Sequence, residues 1–270
     1  MKQTSLSRIS STPATNDSES KIFVAIVSHG HDKIIKTILK PHEWPAASKL
    51  ITPVILSNLP CKNLKEYCRI NNLTYIENLS KEGFGANNNK IFNHLHDEKL
   101  IGDNDYFYAV NPDIATTSKD LVRLAELMKQ HGLQIAAPNL KNENGTEEDN
   151  IREFPAFLDT TLRLLLKSKR TDIDKRSITT IQEIPWASGA FLCFLASTYR
   201  KLQGFDERYY MYYEDADICR RAQSEGIPTS YIPQISAIHL GARKSRSLLS
   251  KEIIYHCKSA FRFNIMRKNK

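Results

Sequence analysis

Apolar and polar positions alternate in blocks along the first half of the chain. Continuous apolar runs predict four buried parallel strands, and the helical spacing between them predicts the intervening helices. The predicted strands lie at 22–27, 53–56, 74–76 and 106–110, and the predicted helices at about 32–39, 64–71 and 88–95. Strands that alternate with helices indicate an α/β fold with a mostly parallel central sheet flanked by helices. Ligands of such sheets bind beyond the carboxyl ends of the strands.

The two ends of the chain depart from this pattern. Residues 1–20 are rich in Ser and Thr and nearly lack large apolar side chains, which predicts a disordered leader. Residues 21–247 are then expected to form the main domain. Residues 248–270 predict a basic amphipathic helix that either packs on this domain or contacts a membrane. Its apolar stripe consists of Leu249, Ile253, Cys257, Phe261 and Ile265, with Lys251, Lys258 and Arg262 around it.

Composition narrows the class of protein. A length of 270 residues with 41% hydrophobic residues suits one sizeable α/β domain and excludes disorder of the whole chain. The five cysteines lack metal-ligand spacing, and with no signal peptide they predict reduced thiols in the cytoplasm. The longest apolar run, 190–196, is too short to span a bilayer.

The net charge of +8 is concentrated at the C-terminal end. From Leu240 onward there are nine Lys or Arg residues and one acid, Glu252, so the rest of the chain is balanced. This asymmetry indicates an anionic partner: a phosphate group, an acidic lipid surface or a nucleic acid. Because no recognised nucleic-acid module with a basic and aromatic stripe is present, we expect no nucleic-acid partner.

Three carboxylates, Glu214, Asp215 and Asp217, directly follow the aromatic run 209–213. If a helix begins here, Glu214 and Asp215 lie in its first turn, where the helix dipole favours anions. Asp217 and Arg221 are spaced to pair on one helix face. Asp215 is then the carboxylate most free to enter a cleft and accept a proton. The alternative is a charged helix start without a catalytic role.

Polar or flexible residues follow each predicted strand and would converge on one crevice. They are Ser28, Ser57, the segment 83–89 and Asp113. Gly83 and Gly85 allow close backbone approach, and the Asn amides suit a base or a sugar. A carboxylate at the position of Asp113 suits a divalent cation held against a diphosphate. The alternatives are a plain helix-entry turn and an Asn-Pro-Asp turn in which Asp113 caps a helix.

Seven motifs in order carry a resemblance to family 2 glycosyltransferases of the GT-A fold, whose central sheet is Rossmann-like. The match spans about residues 22–265, and the opening Ser28-His29-Gly30-His31 and the ending Ala237-Ile238-His239 are most similar to bacterial O-antigen rhamnosyltransferases. The motifs are 26–31, 83–88, 111–113, 186–190, 204–207, 214–217 and His239.

The resemblance implies a role for each matched residue. Asp215 would be the general base, with Glu214 beside it, and Asp113 and His239 would hold Mg²⁺ or Mn²⁺. Ser57 departs from the family, which commonly has an Asp there that contacts the base. The acceptor side would consist of Trp186, Ser188, Gly189 and Asp217. The side that binds the nucleotide sugar would consist of Ser28, His29, Ser57, Asn58, Gly85, Asn87, Asn88, Asn111, Asp113, Arg243 and Arg246.

The function implied by the resemblance is inverting transfer of L-rhamnose from dTDP-β-L-rhamnose to a GlcNAc-diphosphate-lipid, in O-antigen or other surface polysaccharide synthesis. A polyprenyl-linked acceptor would place the protein on the inner face of the cytoplasmic membrane, against an anionic surface. Transfer of another sugar, such as galactofuranose, stays open because pocket shape decides the sugar. A non-catalytic basic polyanion-binding protein is the more distant alternative. A non-catalytic relative that only binds a nucleotide sugar would lack the base, and the presence of Asp215 argues against it.

Overall fold

The apolar runs of the sequence become the strands of one large sheet. The computed structural model describes residues 19–155, 171–241 and 251–266. Four segments lie outside this description: 1–18, 156–170, 242–250 and 267–270. They include Arg243, Arg246 and most of the predicted leader. The strands are β1 (Ile22–Ser28), β2 (Ile51–Ser57), β3 (Thr74–Glu77), β4 (Tyr106–Val110), β5 (Ile114–Ala115), β6 (Ile135–Lys141), β7 (Ile151–Arg152), β8 (Gln182–Ile184), β9 (Trp186–Ala187), β10 (Phe191–Leu195) and β11 (Thr229–His239).

Helices connect most of these strands. The helix predicted at about 32–39 is a short α1 (Asp32–Ile34) that continues as a π-helical turn, Ile35–Leu39. The helix predicted from about 88 begins earlier, at Phe84. The other described helices are α2 (Glu43–Ala47), α3 (Lys62–Ile70), α4 (Phe84–Asp97), α5 (Ser118–Gln130), α6 (Ala196–Lys201), α7 (Glu214–Ser224) and α8 (Lys251–Met266), with a 3-10 turn at Lys175–Ser177.

The sheet has the strand order β3-β2-β1-β4-β10-β6-β11-β5, and β8 also pairs with β11. Strands β1 to β4 pair with one another in parallel, and β6 pairs with β11 in parallel. Strand β10 runs antiparallel between β4 and β6, and β5 and β8 pair antiparallel with β11. The predicted α/β fold with a mostly parallel sheet flanked by helices is confirmed. A separate two-stranded sheet joins β7 to β9.

The antiparallel strand β10 brings the segment that precedes it to the carboxyl edge of the sheet. Phe191 at its start lies opposite Val110 at the end of β4. The Asn111 N–H donates to the Ala190 carbonyl at 2.9 Å. The segment before β10 therefore stands beside the residues that follow β4.

Both faces of the sheet are covered, which explains why its central strands are apolar throughout rather than alternating. One buried cluster packs α4, α6, α7 and α8 on one face, and includes the aromatic residues Phe107, Phe194, Tyr199 and Phe205. The other cluster packs the π-helical turn, α2, α3 and α5 on the opposite face. The carboxyl edge between these layers carries the polar residues.

Candidate active site

Asp215 lies in the first turn of α7, with its carboxylate against the segment that precedes β10. Its Oδ2 accepts a hydrogen bond from the Gly189 N–H at 3.0 Å, and its Oδ1 accepts from the Ala216 N–H at 2.8 Å. The residue is partly buried. Backbone donors thus fix the orientation of this carboxylate and leave lone pairs on both oxygens.

Glu214 beside it is more deeply buried, and its Oε2 has no hydrogen-bond partner. Burial, and then the charge of Asp215, raise the pKa of Glu214 well above its ordinary value. Burial also raises the pKa of Asp215, but the N–H groups of Gly189 and Ala216 oppose that rise. These surroundings favour the proton on Glu214 and the negative charge on Asp215. An ionised carboxylate is the form that a general base needs.

Trp186 in β9 and Arg152 in β7 form a wall near this carboxylate. Trp186 is buried and donates from its indole N–H to the Glu153 carbonyl at 2.9 Å. The Arg152 guanidinium lies 5.5 Å from the centre of the Trp186 ring, and its charge lowers the pKa of Asp215. Sequence reasoning missed Arg152, because it lies in a short, irregular part of the chain.

Ser188 and Gly189 lie between this wall and the carboxylate of Asp215. The Ser188 N–H donates to the Asn150 carbonyl at 2.8 Å. A Cβ on Gly189 would lie 3.0 Å from the ring of Phe84 and 3.6 Å from the Cβ of Asp215. A glycine here lets the backbone N–H reach the carboxylate.

Asp217 occupies a different environment from Asp215. Its side chain is 1% exposed and accepts from the Arg221 Nε at 2.8 Å, with Arg220 at 3.4 Å. The predicted pairing of Asp217 with Arg221 is present. Because two guanidinium groups engage this carboxylate, its surroundings favour a role in anchoring α7 and give no support to the predicted acceptor contact.

A second polar cluster stands where β4 and β11 end. The His239 Nε2 lies 3.4 Å from Asp113 Oδ2, and the His239 Nδ1 donates to Glu148 Oε2 at 2.6 Å. Burial alone would lower the pKa of His239, but Asp113 and Glu148 outweigh it and raise the pKa to about 9. Glu148 was not predicted, although the acidic run 147–149 after the turn at Gly145 was a signal in the sequence.

This cluster fits a divalent cation only in part. Among the described residues, no group of three or more His, Cys, Asp and Glu side chains is arranged to hold a metal ion. Asp113 nevertheless offers hard oxygen ligands at the strand end, with His239 beside it. Mg²⁺ is commonly bound by one or two carboxylates and completes its coordination with substrate phosphates and water. The carboxylate of Asp113 thus suits a cation that a diphosphate also holds, whereas His239, with its raised pKa, must first lose a proton to act as a ligand.

The amides predicted to face the nucleotide form a buried network among themselves. Asn78, which was not predicted, donates to Asn87 Oδ1 at 2.6 Å and to Asn58 Oδ1 at 3.1 Å. Asn58 also accepts from the Glu82 N–H, and its amide lies 3.3 Å from the His29 ring. This network holds the loop after β3 against the ends of β1 and β2.

The remaining predicted residues on this side lie in the same region. The Ser28 hydroxyl accepts from the His31 N–H, and the Ser57 hydroxyl donates to the Leu59 carbonyl. Asn88 is buried and its Oδ1 has no hydrogen-bond partner. Asn111 follows β4 directly. The strand ends therefore converge as predicted.

The two loop glycines are required by the chain's own packing. A Cβ on Gly83 would lie 2.5 Å from the Tyr210 carbonyl oxygen, and one on Gly85 would lie 2.7 Å from the Phe205 Cβ. Both contacts are with the segment 205–210, which leads into α7. The close approach at these glycines is thus to the segment that leads to Asp215.

The fold is similar to that of solved glycosyltransferases of the GT-A fold. GalNAc-T7, solved with UDP, GalNAc and Mn²⁺, matches with a TM-score of 0.64 at 13% identity. The match covers 90% of this chain and 48% of that chain, so the likeness is one of fold.

Sequence relatives give the family. Rhamnosyltransferase WbbL of Escherichia coli K12 is 30% identical over 245 residues, which cover 90% of this chain and 92% of the relative. The N-acetylglucosaminyl-diphospho-decaprenol L-rhamnosyltransferase of Mycobacterium tuberculosis H37Rv is 24% identical over 59% of this chain and 54% of its own length. No family model matches the chain. The chain belongs to the family 2 glycosyltransferases and is similar to their rhamnosyltransferases, so it is an enzyme that transfers a sugar.

In the part of the chain that the structure describes, no helix is both long and apolar enough to cross a membrane.

Proposed function

We propose that the chain transfers L-rhamnose from dTDP-β-L-rhamnose to a GlcNAc-diphosphate-lipid in the synthesis of O-antigen or another surface polysaccharide. The observation that carries the reaction class is the Asp215 carboxylate, oriented by the N–H groups of Gly189 and Ala216 at the carboxyl edge of the sheet. The names of the two rhamnosyltransferase relatives support the choice of sugar, and the mycobacterial one supports the acceptor.

The reaction is a single displacement at the anomeric carbon. Asp215 takes the proton of the acceptor hydroxyl while that oxygen forms a bond to the anomeric carbon. The bond between that carbon and the diphosphate oxygen breaks, and the electron pair leaves with dTDP. One displacement inverts the centre, so a β-L-rhamnosyl donor gives an α-L-rhamnoside. Glu214 stays protonated and so leaves the negative charge on Asp215.

The leaving diphosphate needs compensation for its developing charge. Asp113, with His239, would hold a divalent cation, and a bound Mg²⁺ or Mn²⁺ neutralises charge on the leaving phosphates. Glu148 holds the His239 ring from the other side at 2.6 Å. Arg243 and Arg246 are proposed to add positive charge, and their positions lie outside the described residues.

The remaining site residues divide between the two substrates. Trp186, Ser188 and Gly189 line the acceptor side next to Asp215. On the nucleotide side, Asn58 and Asn87 support the crevice through their network, and Asn88 offers an unpaired Oδ1. The other proposed contacts to the nucleotide sugar are Ser28, His29, Ser57, Gly85 and Asn111.

A lipid-linked acceptor places the reaction at a membrane surface. We assign the enzyme to the inner face of the cytoplasmic membrane, with the catalytic domain at 21–247. The basic C-terminal segment 248–270, which contains α8 (Lys251–Met266), is attached to it. The excess of basic residues after Leu240 suits an anionic surface.

Transfer to a synthetic GlcNAc-diphosphate-lipid tests the proposal. The purified protein is offered dTDP-rhamnose or UDP-sugars, including UDP-galactofuranose, in turn, with Mg²⁺, with Mn²⁺ or with a chelator. We expect a mass gain of one rhamnose from dTDP-rhamnose in the presence of metal, and an α-linkage by NMR. A product formed from a UDP-sugar alone, or a β-linked rhamnoside, would overturn the assignment.

A further inference from the structure

Helix α8 has two faces of different character, and the more apolar stripe of its sequence is turned outward. Ser259, Ala260 and Phe263 are buried against the domain. Ile254, Phe261 and Ile265 are 53%, 58% and 42% exposed. These three residues recur at helical spacing on one side, and the charged Lys258 is exposed among them.

The inner face of α8 holds the segment that leads to the base. The Ser259 hydroxyl donates to the Met211 carbonyl at 2.9 Å. The His256 ring packs against the rings of Tyr212 and Tyr213 at 5.1 and 5.3 Å. Both tyrosines have a φ of 71°, a backbone conformation that non-glycine residues rarely adopt. The helix thus stabilises a strained turn directly ahead of Glu214 and Asp215.

A second set of contacts ties α8 to α7 itself. The Arg220 guanidinium lies 3.7 Å from the centre of the Phe263 ring and donates to the Phe263 carbonyl at 2.7 Å. Arg220 also pairs with the buried Asp217. The position of α8 is therefore fixed relative to the helix that carries the base.

The outer face of α8 is exposed and apolar. Three large apolar side chains along one helix side form an exposed patch, and such patches mark interaction surfaces. Lys258 lies within the patch, and nine basic residues against one acid make up the charge of the chain from Leu240 onward. A helix with an apolar stripe and surrounding basic residues is suited to the interface of an anionic bilayer.

We propose that the outer face of α8, formed by Ile254, Lys258, Phe261 and Ile265, binds an anionic phospholipid surface. Its apolar side chains enter the boundary between headgroups and acyl chains, and the ammonium of Lys258 stays at the phosphates. Because the inner face holds the segment before Asp215, binding sets the base at a fixed distance from the bilayer. This last consequence rests on the proposed function, since it presents the base to an acceptor anchored in the same membrane.

Vesicle flotation in the absence of any sugar substrate tests this surface independently of the reaction. The full chain is mixed with vesicles of phosphatidylglycerol and phosphatidylethanolamine, or with vesicles of phosphatidylcholine alone. The test variant carries Ile254→Ser, Phe261→Ser and Ile265→Ser. The matched control is Leu79→Ser, which removes an apolar side chain that is 93% exposed on the loop after β3.

We expect the wild type and Leu79→Ser to float with the anionic vesicles, and the triple variant to lose at least about tenfold in affinity. Lys258→Glu, which alters one exposed charge, is expected to lose about tenfold and to show a weaker salt dependence. Thermal unfolding checks that each variant is folded. Three results would overturn the proposal. They are equal binding of the wild type to neutral vesicles, no binding by the wild type, and binding by the triple variant and Lys258→Glu as strong as that of the control. Failure of rhamnose transfer would leave it standing, because the assay contains no sugar substrate.

Discussion

At the scale of single residues, two neighbouring carboxylates acquire different chemistry from their surroundings. Glu214 lacks a partner for one buried oxygen, whereas Asp215 accepts two backbone hydrogen bonds. Hydrogen bonds to the charged form stabilise it, and burial without them stabilises the neutral acid. The proton is thereby assigned to Glu214, and Asp215 is left as the anion.

Replacing Glu214 with Gln tests this assignment through the pH dependence of stability. The pKa of Glu214 lies above its ordinary value of 4.5, so the folded state binds this proton more tightly than the unfolded state. That contribution is complete below the ordinary pKa and is lost as pH rises through the folded-state pKa. We expect the free energy of unfolding to fall less for Glu214→Gln than for the wild type between about pH 5 and about pH 8.

Urea unfolding at the two pH values measures this difference. A matched control is Glu98→Gln at the exposed end of α4, which is expected to follow the wild type. If Glu214→Gln showed the same pH dependence as the wild type, Glu214 would be ionised in the folded protein and the proton assignment would be wrong.

At the scale of elements, the crevice depends on a buried lysine that joins three pieces of chain. The ammonium of Lys175 donates to Asn139 Oδ1, to the Leu140 carbonyl and to Asn150 Oδ1 at 2.7, 3.0 and 2.8 Å. The Asn150 carbonyl in turn accepts from the Ser188 N–H, next to Gly189. The 3-10 turn, β6 and the start of β7 are thus held together behind the wall of the site.

Lys175→Met should therefore destabilise the fold. Removing the ammonium leaves buried acceptors unpaired, and we expect a loss of about 3 kcal/mol in the free energy of unfolding. Lys201→Met is the control, because Lys201 forms an exposed ion pair with Glu225 at 3.6 Å and should cost about 1 kcal/mol or less. Chemical denaturation compares the two, and equal losses would contradict the structural role of Lys175.

At the scale of the whole molecule, the site is assembled from distant parts of the chain. Asp113 follows β4, Glu148 belongs to the turn after β6, and His239 ends β11. A nucleotide diphosphate and cation bound at Asp113 would therefore join the first and second halves of the sheet. Ligands that bind only the folded state raise its apparent stability.

We expect Mn²⁺ with dTDP to raise the unfolding temperature of the wild type. At a hundredfold excess of ligand over Kd, the gain in the free energy of unfolding is about 2.7 kcal/mol. Asp113→Asn should lose most of this rise, because the cation loses its carboxylate ligand. Asp103→Asn, which alters an exposed carboxylate paired with Arg200, should keep it. An equal rise in Asp113→Asn would remove Asp113 from the cation site.

The parts of the structure that local pattern determines were predictable from the sequence. The strands β1 to β4, the first-turn acids of α7 and the pairing of Asp217 with Arg221 follow from periodicity and spacing. Glu148 and Arg152 were missed because they act across an irregular segment, where tertiary contacts alone bring them to the site. The close contact of Gly85 could not be predicted for the same reason, since the surface that it approaches is Phe205 of the chain itself.

The same limit applied to α8. Its apolar stripe was recognised in the sequence, but the spacing alone left packing and membrane contact open. The structure buries the opposite face, which carries Ser259, Ala260 and Phe263. Aromatic contacts with 209–213 decide this orientation, and a helical pattern does not contain them.

The central claim, that Asp215 is the catalytic base, is tested most directly by comparing Asp215→Asn with the wild type. We would measure kcat for rhamnose transfer and, by calorimetry, the Kd for dTDP-rhamnose with Mn²⁺. The account predicts a fall in kcat of at least about a thousandfold, with a Kd within about threefold of the wild type, because the amide keeps the shape but cannot take the proton. A kcat close to that of the wild type would contradict the account.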